Sequence, residues 1–92
     1  MEYVEIKVPR DFMRLLGHED VEGLERHSRM ILAVELYIGG KVSMGRAAEL
    51  ADVSYDEFFR FLREKSQRIR IGPRTLEEAE REYNETQERL AS

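Results

Sequence analysis

Residues 43–62 read SMGRAAELADVSYDEFFRFL, and no other stretch constrains the fold as much. Ser43 is placed to cap a first helix. In that helix Ala47, Ala48, Leu50 and Ala51 keep one side slim enough for a second helix to cross closely. Asp52-Val53-Ser54 makes the turn, with Val53 as its one apolar residue. Ser54 starts the next helix, and Glu57 three residues on completes the spacing of a capping box. Phe58, Phe61 and Leu62 give that helix a buried face. Two short helices joined by so tight a turn are the layout of a helix-turn-helix unit, whose second helix can lie in a major groove. Most such units carry Gly where Asp52 stands, but Asp tolerates left-handed backbone angles better than most residues. An ordinary helical hairpin in a small core is the alternative.

The flanks predict the rest of a mainly α domain with a short two-stranded β element and a C-terminal helical tail. Residues 3–8 alternate, with Val4, Ile6 and Val8 on one side and Tyr3, Glu5 and Lys7 on the other: a half-buried strand. Pro9 ends it and opens a helical turn that Gly17 stops. Residues 18–23 read as a polar linker. The longest predicted helix covers residues 21–38. Leu24, His27, Ile31, Val34 and Ile38 form one apolar stripe on it; Met30, Ala33 and Tyr37 form a second. Two stripes exceed what a small core needs and point to a second subunit. RIRI at 68–71 alternates again and is the natural mate of the first strand. Gly72-Pro73 then divides the chain into a helix-turn-helix domain, 1–71, and a tail, 72–92. Thr75 and Glu78 predict a capped tail helix with a thin apolar seam of Leu76, Ala79, Tyr83 and Leu90, the form of a docking helix.

Ninety-two residues make one small domain. Without cysteine there is no disulfide frame and no thiolate metal site. No apolar run is long enough to span a membrane, and the N-terminus lacks a signal-peptide pattern, so a cytoplasmic location is expected. Charged residues are 37% of the chain and amides are few (Asn84, Gln67, Gln87), the surface composition of a thermophile's protein. The net charge of −4 is unpromising for a nucleic-acid binder, but its distribution is uneven. Arg60, Arg63, Lys65, Arg68, Arg70 and Arg74 face only Glu64 within 60–74, whereas the tail carries six glutamates. Phosphates can bind such a basic run; a solvated face of ion pairs is the plainer reading.

Enzymatic chemistry is not expected. His18 and His27 do not share a helical face, and His27 on its apolar stripe reads as a core histidine, not a metal ligand. The serines lack a nucleophile-elbow context, and no glycine motif cradles a phosphate. No cofactor is expected.

The run AVELYIGGKVSMGRAAELADVSYDEFFRFL, residues 33–62, resembles uncharacterised protein family one-hundred-seventy-five. The resemblance rests on Leu36-Tyr37, Gly40-Lys41, the Ser43-capped alanine-rich helix, and the Ser54-capped helix with Glu57-Phe58. It extends over roughly residues 3 to 71. It implies a type II antitoxin that binds its own operator as a homodimer through the N-terminal part and covers a PIN-domain ribonuclease toxin with the C-terminal tail. Asp52, in place of the usual turn glycine, and the acidic tail depart from the family pattern.

Together these readings predict DNA contacts from Ser43, Arg46, Ser54, Tyr55, Phe59, Arg60 and Arg63. Ser43 and Arg46 begin the first helix, where backbone amides can meet a phosphate. Asp56 and Glu57 argue the other way, since acids repel phosphates; they can serve the helix N-terminus instead. Two rivals are a protein-interaction module without DNA contact and a ribbon-helix-helix regulator. In the latter, Tyr3, Glu5 and Lys7 would read bases from the first strand.

Overall fold

The computed structural model describes residues 2–65 and 76–91. Their regular elements are five helices: α1 (Asp11–Leu16), α2 (Val21–Ile38), α3 (Met44–Ala51), α4 (Tyr55–Lys65) and α5 (Leu76–Ala91). Gly17 ends α1 in the left-handed region at φ 77°, its N–H bonded back to the Arg14 carbonyl. Asp20 then caps α2, its carboxylate accepting from Gly23 N–H at 2.7 Å. That cap shortens the linker expected over 18–23, because Val21 is already helical.

The core is built where α2, α3 and α4 cross. Ala33, Val34, Tyr37 and Ile38 come from α2; Met44, Ala47, Ala48 and Ala51 from α3; Phe58, Phe59 and Leu62 from α4; and Ala79 from α5. The three alanines of α3 let its neighbours approach its backbone, and the space they leave is filled by rings. Tyr37 meets Phe58 edge-on at 6.0 Å between centroids. No polar or charged residue among those described is buried. This half of the sequence behaves as its apolar pattern demands.

The predicted two-stranded β element is not seen: no strand occurs among the described residues. Residues 3–8 form no regular element and pair with no strand among the described residues, and Val4 is 88% exposed. Their proposed mate at 68–71 lies outside the described residues, as do the Gly72-Pro73 break and the Thr75 cap. Alternation makes a strand only where a neighbour takes up its N–H and C=O groups and something covers one face. Among the described residues neither condition is met, and the ribbon that a ribbon-helix-helix reading needs is not seen there. The two stripes of α2 also divide: Leu24, Val34, Ile38, Ala33 and Tyr37 are buried, while Ile31 is exposed.

Asp52 is the only non-glycine with positive φ among the described residues, at φ 58° and ψ 44°. It ends α3, with its N–H on the Glu49 carbonyl and the Val53 N–H on the Ala48 carbonyl. An L-residue carries a Cβ penalty there that Gly lacks, partly offset by the greater freedom of Gly in the unfolded chain. Asp52→Gly is expected to stabilise the domain by about 0.5 kcal/mol. A urea midpoint that does not rise would contradict this.

Candidate nucleic-acid interface

The turn between α3 and α4 rests on two serine caps. Ser43 Oγ accepts from Arg46 N–H at 3.1 Å, and Ser54 Oγ accepts from Glu57 N–H at 3.1 Å. Val53 packs half-buried against the core between the two helices. On α4, Phe58 and Leu62 point inward and are almost wholly buried. The helical period then turns Asp56, Arg60 and Arg63 away from the core. All three are exposed, and the Arg63 guanidinium stands over the Phe59 ring at 5.7 Å. Ser43, Ser54 and Arg46 are exposed too, with Arg46 hydrogen-bonded to Glu49. A shallow groove lined by Met30, Glu57, Arg60, Phe61 and Glu64 runs beside α4.

Tyr55 and Phe59 are not available in the same way. They form a platform on which α5 lies. Tyr83 stacks on Phe59 at 4.2 Å, with the rings 10° from parallel, and on Tyr55 at 5.9 Å. The Tyr83 hydroxyl donates to Asp56 Oδ1 at 2.6 Å, and Gln87 Nε2 donates to the same oxygen at 3.3 Å. Tyr55 and Thr86 hydroxyls meet at 3.3 Å. Glu82 reaches the start of α3: one carboxylate oxygen accepts from Met44 N–H at 3.4 Å, the other from the Tyr37 hydroxyl at 3.1 Å. The bond to Asp56 raises the Tyr83 phenol above its ordinary pKa, and burial raises that of Tyr55.

Two residue sets expected to serve different partners thus meet each other. Tyr55 and Phe59, expected to face DNA, pack against Tyr83, expected to dock a toxin. Of the remaining seam, Ala79 is buried in the domain's own core, Leu76 is half-buried and Leu90 is exposed. Glu82 and Gln87 escaped the sequence reading because they lie off the apolar seam. The available signal was Phe59 itself, an aromatic one turn after Tyr55 that needs a cover of its own.

A second correction concerns the histidines. They are not on one helical face, but the loop before α2 folds His18 back so that its Nε2 lies 2.9 Å from His27 Nδ1. Gly23 makes room: a Cβ there would come within 3.1 Å of His18 Nδ1. Burial, then the neighbouring His18 and Lys65, hold His27 below its ordinary value of 6.5. No group of three or more metal-ligating side chains occurs among the described residues. The unfolded chain therefore binds the His27 proton more readily than the folded one. Stability present above pH 6.5 is lost as pH falls through the lowered value. Melting temperature is expected to drop between about pH 7.5 and about pH 5, and His27→Phe to reduce that drop. Equal pH dependence in both proteins would contradict it.

No helix among the described residues is long and apolar enough to cross a membrane. No solved structure matches the chain. Two curated relatives do, both described as UPF0175 proteins. One, from Archaeoglobus fulgidus, is 41% identical over 64 residues, covering 70% of each chain. The other, from Aeropyrum pernix, is 37% identical over 79 residues, covering 86% of this chain and 87% of its own. Residues 1–88 match the family described as Uncharacterised protein family (UPF0175), and the chain belongs to that family.

Proposed function

We propose that this chain is an antitoxin-like, DNA-binding transcriptional regulator that acts in the cytoplasm as a homodimer. The observation that carries the reading is the local build of α3 and α4. A serine-capped helix, a left-handed turn at Asp52 and a second serine-capped helix hold Arg60 and Arg63 outward. A helix presented in this way fits a major groove, and its cations can displace counterions from phosphates. The motifs of residues 33–62 support a place in a type II toxin–antitoxin pair, with a PIN-type ribonuclease as the neutralised partner.

Dimer formation is supported by apolar surface that nothing among the described residues covers. Tyr3, Val4, Ile6 and Val8 precede Phe12, Leu15 and Leu16 on α1, and all are exposed. So much contiguous apolar side chain is uncommon on a monomer. Light scattering is expected to give a dimer mass at micromolar concentration; a monomer mass would contradict it.

The test of function is a titration of the full chain with a duplex taken from directly upstream of its own gene. Binding is expected to exceed that to an unrelated duplex and to weaken steeply with salt. Equal affinity for both duplexes would refute operator recognition. Absence of binding to either would favour a protein-interaction module, a reading to which the covered Tyr55 and Phe59 lend weight.

A further inference from the structure

We propose that α5 is an autoinhibitory cover, an acidic helix seated where a DNA backbone would lie on α3 and α4. The proposal rests on the DNA-binding reading above. Three independent features carry it.

The first is position at α3. A helix that crosses a DNA backbone offers its N-terminal amides to a phosphate. Here the amide of Met44, the first residue of α3, donates to the Glu82 carboxylate. The second is position at α4. The stack of Tyr83 on Phe59 and Tyr55 occupies the first two turns, the part of a recognition helix that meets base edges. Asp56 belongs to the same arrangement. An acid is a poor neighbour for phosphates, but it is a good acceptor for Tyr83 and Gln87. The third is charge. α5 holds Glu77, Glu78, Glu80, Glu82, Glu85 and Glu88 against Arg81 and Arg89. That surplus of negative charge stands on the helix that packs against α4, which bears Arg60 and Arg63.

The cover can leave without dismantling the fold. Of the core residues, only Ala79 belongs to α5; the others come from α2, α3 and α4. A duplex and α5 then compete for one face. The apparent affinity for DNA is the intrinsic affinity multiplied by the fraction of chains with α5 released. Anything that loosens α5 tightens DNA binding, and DNA loosens α5.

Two measurements on the full chain test this. Tyr83→Ala removes the stack and the bond to Asp56 without changing net charge. It is expected to bind the upstream duplex about tenfold more tightly at fixed salt. Tyr83→Phe keeps the ring and should show a smaller gain. Hydrogen exchange of the unmutated chain with saturating duplex needs no variant. There the amides of α5 are expected to exchange faster in the complex than in the free protein. Unmutated protein that binds the duplex while its α5 amides stay as protected as before overturns the cover and leaves the DNA-binding reading standing. Failure of the unmutated chain and of Tyr83→Ala to bind any duplex overturns both.

Discussion

Phe58→Ala should remove most of the stability of this domain. The ring is fully buried, lies edge-on to Tyr37, and sits where α2, α3 and α4 meet. The alanines of α3 are too small to fill the space that the ring would leave. Truncating such a ring costs about 3–5 kcal/mol, from lost burial and the cavity left behind. Domains of this size hold roughly 5–15 kcal/mol in total, and a short chain stands near the lower end. Urea unfolding followed by circular dichroism is expected to show a greatly lowered midpoint, or a chain already unfolded without urea. Phe12→Ala, at a ring that is 48% exposed, provides the contrast; within a monomer it should change stability by less than about 1 kcal/mol. A loss below about 1 kcal/mol at Phe58 would mean that the three-helix crossing is not the core.

Replacing Arg60 and Arg63 together by Ala should weaken binding to the upstream duplex and reduce the magnitude of its salt slope by about 2. Both cations stand on the outward side of α4, opposite Phe58 and Leu62. Each phosphate contact releases condensed counterions, so each lost contact removes about one unit of slope. Arg60 is the simpler case. Arg63 also lies over Phe59, so its loss removes a cation–π contact of about 0.5–1 kcal/mol in stability. The melting temperature of the double variant therefore has to be measured beside its affinity. Unchanged affinity and slope in a folded variant would remove α4 from the DNA-binding account.

Helices α3 and α4 and the turn between them were legible in the sequence because each of their devices is local. Ser43 and Ser54 cap the helices that follow them within a single turn. Asp52 takes a left-handed conformation that few other side chains tolerate. Ala47, Ala48 and Ala51 mark the face where helices cross closely. What escaped depends on pairing across distance. Whether residues 3–8 form a strand depends on a neighbour that alternation cannot supply. The contact of His18 with His27 depends on how a loop turns back before α2. The seat of α5 depends on Tyr83 finding Tyr55 and Phe59, and on hydrogen bonds accepted by Glu82 and donated by Gln87 that no apolar period reveals. Phe59 lies on the flank of α4 that α5 covers, and its ring suits an aromatic partner better than a phosphate.

We propose that the face formed by α3 and α4 reads DNA, and mapping amide chemical-shift changes along the full chain as the upstream duplex is added tests this. The largest changes are expected at Ser43 and Arg46 at the start of α3, and at Ser54, Tyr55, Phe59, Arg60 and Arg63 along α4. Changes are also expected along α5 as it is displaced. Saturable shifts confined to α1 and residues 3–8, with α3 and α4 unmoved, would refute DNA reading by this face.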